Sequence, residues 1–190
     1  MTDRCIIGTD EVGRGCLAGP VVAAAVLQRP SQEIVGCDSK KLSPKRRKEM
    51  CASIECLCSY SLSSKTPLFI DEHNILNSSL EAMRDAVESL VKKHNVVNPI
   101  VYVDGNKEIP DLPYEQHTVI KGDEKMPVIG AASILAKVYR DDYMVLLDYL
   151  SGEKYNFKQH KGYPTKAHYE QLEIHGVSEY HRKSFKLQKK

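Results

Sequence analysis

Residues 6–26 read IIGTDEVGRGCLAGPVVAAAV. Two apolar runs, each without helical period, flank a glycine turn in which Arg14 stands between Gly13 and Gly15. Short apolar runs bounded by Gly and Pro read as buried strands, and a short Gly-containing link between two of them predicts an antiparallel hairpin. The first strand ends in two adjacent acids, Asp10 and Glu11. Burying an unpaired carboxylate costs several kcal/mol, so a group placed there acquires a cation, a metal or a proton.

Outward from this hairpin, Ser43 and Pro44 give the cap and first position of a helix, with Met50, Ile54 and Leu57 on its apolar face. Leu76, Leu80, Met83, Val87 and Leu90 recur at spacings of four and three, which predicts a second amphipathic helix. "IVYVDGN" (100–106) reads as a strand ending on Asp104, and "HTVIKGD" (117–123) as a short strand ending on Asp123. Pro127 opens a long helix whose Gly130, Ala131, Ala132 and Ser133 suit close packing on a sheet, and one amphipathic segment follows around Ala167 to Ile174. Hairpin, helix, strand and helix in this order predict an α/β fold with a mixed sheet, in which ligands gather where strands end.

With 190 residues and 42% hydrophobic content the chain suits one domain over 1–190, a core to about residue 150 and a basic C-terminal part over 151–190. No apolar run approaches the roughly 20 residues of a membrane span, and no secretory leader is evident, so a soluble, cytoplasmic protein is expected, with no membrane partner. Net charge is only +2, but from Lys154 onward nine Lys or Arg face three Glu. That flank of +6 against a body of −4 fits a polyanionic partner or merely a solvated terminus. The six cysteines lack CxxC spacing and read as small core residues. No extended apolar surface stripe is foreseen, which predicts a monomer.

If the strand ends converge, Asp10, Glu11, Asp104 and Asp123 share one pocket. Their repulsion would be relieved by multivalent cations, and oxygen-only ligands suit Mg²⁺ or Mn²⁺. Two such ions about 3.5–4 Å apart would clamp the attacking and leaving oxygens of a phosphodiester. Taken singly, Asp104-Gly105 also reads as a turn and Asp123 as a helix-dipole partner. Gly13, Gly15 and Ala18 satisfy the dinucleotide pattern GxGxxA, although that motif should open a helix and "VVAAAV" reads as a strand.

The blocks "DEVGRGCLAGPVVAAAV", "DSKKLS", "VDGNK", "KGD", "AASILAKVYRD", "HKGYPTKAH" and "HRKSF" resemble, in order and over nearly the whole chain, those of the type 2 ribonuclease H (ribonuclease HII) family. The resemblance implies an RNase H-like mixed five-stranded sheet flanked by helices, with a helical C-terminal extension. It implies endonucleolytic cleavage of RNA in RNA/DNA hybrids and incision 5′ of single ribonucleotides in duplex DNA by two-metal-ion catalysis, leaving 3′-hydroxyl and 5′-phosphate ends. The family's metal-binding catalytic acids fall on Asp10, Glu11, Asp104 and Asp123. Its ribose-reading element falls on Gly13, Arg14 and Gly15, assisted by Tyr163, which would pack against the neighbouring deoxyribose.

Two departures stand out: Cys16 where the family often has Pro, and Pro164 where it often has Gly. Lys40, Lys41, the cluster from Lys45 to Lys48, Lys161, Lys166 and the basic tail are candidate phosphate contacts. "SFKLQKK" (184–190) is a thin candidate for a sliding-clamp contact. Asp141 and Asp142 read as helix-surface acids with Arg140 as charge partner.

Overall fold

In the computed structural model, which describes residues 4–34 and 42–188, β1 (Ile6–Val12) pairs antiparallel with β2 (Val21–Gln28), Asp10 opposite Ala24. The expected hairpin is therefore present, with residues 13–20 as its connection. β1 also pairs in parallel with β4 (Ile100–Asp104), and β4 with β5 (Glu115–Val119). The outer strand on the other side is β3 (Ser59–Lys65), giving the order β3-β2-β1-β4-β5. This is the mixed five-stranded sheet that the resemblance implied.

β3 was not legible because "SYSLSSK" offers only Tyr60 and Leu62 as apolar residues. Both lie on one face, opposite Val26 and Ala24 of β2, and pairing to a formed strand stabilises what the local sequence does not. A short helix, α2 (Pro67–His73), also went unforeseen. The strand expected to run to Asp123 stops at Val119, and Lys121 turns with φ 55° into the four-residue α4 (Gly122–Lys125), so Asp123 is helical.

Alternation along the strands divides the core. Ile7, Ala23, Ala25, Leu27, Val101 and Val103 face α3 (Ile75–His94), which buries Leu80, Met83, Val87 and Leu90 against them. The other face receives α5 (Pro127–Leu150) and α1 (Pro44–Leu57), with Ala24, Val26, Ile129, Ala132 and Ile54 in contact. β2 is apolar and buried from Val21 to Leu27 because both faces are covered there, and its three alanines let helices approach from either side. Leu57, placed on the apolar face of α1 by its spacing, is 73% exposed at the helix end.

Beyond Ser151, α6 (Phe157–His160) and α7 (Lys166–His175) pack on the last turns of α5 and on residues 17–18, around Leu17, Met144, Leu147, Tyr155, Phe157 and Leu172. Arg140 is fully buried and bonds to backbone carbonyls, so it is not the partner of Asp141 or Asp142; Lys137 and Lys48 take those acids at 2.8 and 2.7 Å. Tyr139, Tyr143, Leu146 and Leu150 lie exposed on α5, contrary to the expectation of no apolar stripe, and the expected monomeric state loses that support. Among the described residues no helix is long and apolar enough to cross a membrane.

Gly8 sets how closely α5 approaches the sheet. A Cβ there would stand 2.6 Å from the Val128 carbonyl carbon and 2.7 Å from the Ile129 nitrogen, backbone atoms that have no rotamer in which to yield. Gly8→Ala is expected to lower stability by about 1–3 kcal/mol, measured as a shift of the urea midpoint. Gly15→Ala, where a Cβ meets nothing within 4 Å, serves as the neutral control.

Candidate active site

The parallel register sets Thr9 beside Val103, so Asp10 and Asp104, one residue further along each strand, emerge together at the same edge of the sheet. By alternation both lie on the α5 face, where the Ser133 hydroxyl bonds the Asp10 carboxylate. The Glu11 backbone N–H also donates to Asp10 Oδ1 at 2.7 Å. Burial pushes the Asp10 carboxyl well above its ordinary value, and the charges of Glu11 and Asp104 push it further. Glu11 is raised by burial as well, opposed by the Arg14 guanidinium at 3.2 Å and reinforced by Asp104.

Asp104 Oδ1 accepts the Gly122 N–H at 2.7 Å. That bond ties the end of β4 to the first turn of α4 and places Asp123, 4% exposed, next along the chain. The structure thus brings Asp10, Glu11 and Asp104 into mutual electrostatic contact and sets Asp123 on the element bonded to Asp104. Among the described residues no three His, Cys, Asp or Glu side chains close on a common point in the manner of a finished metal site. The donor chemistry nevertheless suits a hard cation. All four would offer oxygen atoms, burial disfavours the ionised form of Asp10 and Glu11, and a divalent ion would relieve that.

Beside the acids, the glycine turn does not open a helix, since the next element is β2. The dinucleotide reading of Gly13, Gly15 and Ala18 fails on that count. Gly13 has φ +96°, and a Cβ there would collide with the Arg140 side chain, whereas Gly15 borders open space. Cys16 donates its N–H to the Gly13 carbonyl at 3.3 Å, a bond that Pro could not make.

Two buried arginines hold this turn from beneath. Arg140 donates to the carbonyls of Pro20 (2.9 Å), Ala18 (3.0 Å) and Lys161 (2.8 Å). Arg182 donates twice to Gly19, at 3.0 and 2.9 Å, and once to the Arg14 carbonyl at 3.0 Å. Burial brings Arg182 down to about 10, so it stays charged at neutral pH. The place of Arg140 and Arg182 under the turn and the bond of Ser133 to Asp10 were not read from the sequence, because a buried donor on a helix or tail looks the same there as a solvated one.

Tyr163 is half-buried beside the turn. Its hydroxyl bonds the Cys16 thiol, and the Lys137 ammonium and Arg140 guanidinium lie 5.4 and 5.9 Å from its ring centre. Pro164 sits at the centre of a tight turn in which the Thr165 N–H donates to the Tyr163 carbonyl at 2.8 Å, and the fixed φ of proline suits that turn.

The lysines are less uniform. Lys161 is partly buried and donates to the Lys158 carbonyl, and Lys166 pairs with Glu170 at 3.5 Å along α7. Lys48 pairs with Asp142, and Arg46 with Glu49 at 3.1 Å. Lys40 and Lys41 lie outside the described residues.

The profile of the family described as Ribonuclease HII matches residues 7–188. The ribonuclease H2 from Pyrococcus horikoshii OT3 superposes with a TM-score of 0.77 at 27% identity, over 96% of this chain and 94% of that one. A chain of the PCNA:RNase HII complex from Archaeoglobus fulgidus gives 0.72 at 26%, over 97% and 96%. Bst-RNase HIII in complex with Mn²⁺ gives 0.79 over 97% of this chain and 68% of that one, at 16% identity, a likeness of fold alone.

A carboxyl whose folded pKa is raised holds more protons folded than unfolded, so it costs stability as pH rises past its ordinary value. Asp10→Asn in EDTA at neutral pH is therefore expected to raise stability by about 1 kcal/mol or more, or roughly 2–4 °C in Tm. The gain should shrink or reverse when Mg²⁺ is added, as calorimetry would read directly.

Proposed function

The chain belongs to the ribonuclease HII family and is a ribonuclease H, a hydrolase that cuts RNA strands endonucleolytically, and from that premise we propose a finer reading of its site. The enzyme incises duplex DNA 5′ of a single ribonucleotide, besides cutting RNA/DNA hybrids, with Asp10, Glu11, Asp104 and Asp123 holding two Mg²⁺ or Mn²⁺ ions. The observation that carries it is the emergence of Asp10 and Asp104 side by side from parallel strands, with the glycine turn opening two residues after Glu11 and Tyr163 bonded to its Cys16.

The family is divalent-metal dependent. The chemistry such ions supply, when bound, is a water acidic enough to attack phosphorus and neutralisation of charge on the departing 3′-oxygen. The protein's part is orientation. Ser133 and the Glu11 N–H fix the Asp10 carboxylate, and the Gly122 N–H fixes Asp104, so the acids meet an incoming cation without reorganising. Gly15 leaves space for a sugar to reach backbone amides, and Arg14 brings a donor to its phosphate. Tyr163 packs on the deoxyribose that follows, where a further hydroxyl would clash. The bond between the 3′-oxygen and phosphorus breaks, leaving 3′-hydroxyl and 5′-phosphate ends. Lys161 and Lys166, with Lys40 and Lys41, contact backbone phosphates.

A second contact has the Archaeoglobus fulgidus complex with PCNA as its precedent: the tail from Ser184 meets a sliding clamp. Phe185 and Leu187 are partly buried against the C-terminal cluster, so that contact requires them to swing out.

With Mn²⁺ or Mg²⁺, a DNA duplex carrying one ribonucleotide is expected to be cut once, on its 5′ side; EDTA should stop the reaction, and an all-DNA duplex should stay whole. Asp104→Asn should lower turnover by about 10³-fold or more while leaving duplex binding largely intact. Loss of binding together with turnover would assign Asp104 a structural role, and cutting of hybrids alone would remove the single-ribonucleotide activity.

A further inference from the structure

Behind the Tyr163 loop lie three buried histidines that the chemistry above does not use. His168 and His181 are 0% and 1% exposed, and His160 is 9% exposed. Their hydrogen bonds leave one consistent arrangement of protons. His168 Nδ1 lies 3.0 Å from the Tyr163 carbonyl, which can only accept, so Nδ1 carries the hydrogen. Nε2 of a neutral His168 is then bare, and His181 Nε2, 3.1 Å away, donates to it. His181 Nδ1 is bare in turn and accepts from the Ser178 N–H at 3.1 Å and the Ser178 hydroxyl at 2.8 Å. By the same logic His160 donates through Nε2 to the Tyr155 carbonyl at 2.8 Å and accepts the Gly162 N–H on Nδ1 at 3.1 Å.

Every ring nitrogen is thereby engaged, which leaves none to ligate a metal or shuttle a proton. A second proton on His168 or His181 would set N–H against N–H. Burial holds both rings neutral, with values down at about 4, and the neighbouring rings of the trio disfavour charge further. The charges facing the group are Asp148 and Lys161, both acting at His160. The rings of His160 and His168 stack with centres 4.3 Å apart, an arrangement suited to two neutral imidazoles.

The two ends of the chain of bonds belong to different segments. One end is the carbonyl of Tyr163. The other is the segment around His181, which bridges Ala18 and whose next residue, Arg182, donates to the Leu17, Gly19 and Arg14 carbonyls. We propose that His168 and His181, backed by His160, are positioning residues: a relay of neutral imidazoles that sets Tyr163 relative to the glycine turn and so sharpens discrimination at a single ribonucleotide. The inference rests on the reading of Tyr163 as the residue that packs on the neighbouring sugar.

Two measurements on the full chain test it. In ¹⁵N-histidine NMR, His168 should carry its proton on Nδ1, His160 and His181 on Nε2, and the rings of His168 and His181 should stay neutral down to about pH 5. An Nε2–H His168, or either ring titrating near its ordinary value, overturns the relay whether or not any variant folds. In cleavage assays the readout is the ratio of rates on a single-ribonucleotide duplex and a long hybrid. His181→Phe should lower that ratio about five- to tenfold, the size of one lost hydrogen bond. His181→Gln, whose amide N–H can stand in for Nε2–H, should keep most of it. In a Tyr163→Ala background, His181→Phe should lower the ratio no further. Equal losses on both substrates, or a further loss in that background, would make the histidines merely structural. A ratio unchanged by Tyr163→Ala would refute the reading of Tyr163 and with it the positioning role, while leaving the NMR result to judge the relay.

Discussion

Thr9 and Val103 pair across two parallel strands, and one residue beyond each lies an acid. Parallel pairing is what makes this count: both strands end at the same edge, so their carboxylates leave the sheet together, whereas an antiparallel partner would carry its acid to the far end. The resulting repulsion, inside a site where burial already disfavours charge on Asp10 and Glu11, creates a standing demand for cations. The neighbouring features accommodate that demand. Gly8 lets the first turn of α5 lie against β1, which brings Ser133 over Asp10. Gly122, bonded to Asp104, starts the short helix that carries Asp123.

The glycine turn is held by a different physical device. Arg140 and Arg182 are buried without a carboxylate in any of their hydrogen bonds described above, each satisfied by three bonds to backbone carbonyls. A lysine could not do this, since a compact ammonium lacks the planar fork that reaches several carbonyls at once. Because the two arginines come from α5 and from the C-terminal segment, the turn is anchored to both the catalytic core and the C-terminal part. Residues 151–188 therefore brace the turn through Arg182 and the Lys161 carbonyl. The histidine relay extends that brace to Tyr163, so two buried networks hold two adjoining loops.

Much of the architecture was legible locally. The apolar run from Val21 to Leu27 read as a buried strand, and the four-three spacing from Leu76 to Leu90 implied a helix with one buried stripe. Asp10 and Asp104 were visible as acids at the ends of apolar runs. β3 was not visible, because its pairing to β2 replaces the apolar content it lacks. Asp123 was placed on a strand because "HTVI" reads as one; its move into α4 depends on the αL turn at Lys121 and on the Gly122–Asp104 bond, neither of which is a property of that segment alone.

The amino-acid sequence by itself determined β1, β2, β4, the long helices, the acids and the glycine turn, because each depends on residues within a few positions of one another. Tertiary structure alone decided which acids meet, that Arg140 and Arg182 are buried under the turn, and which nitrogen of each histidine carries its proton. Those outcomes join residues as far apart as Arg14 and Arg182. The burial that disfavours charge on a carboxylate, or fixes an imidazole as a donor, is created only when distant segments close over it.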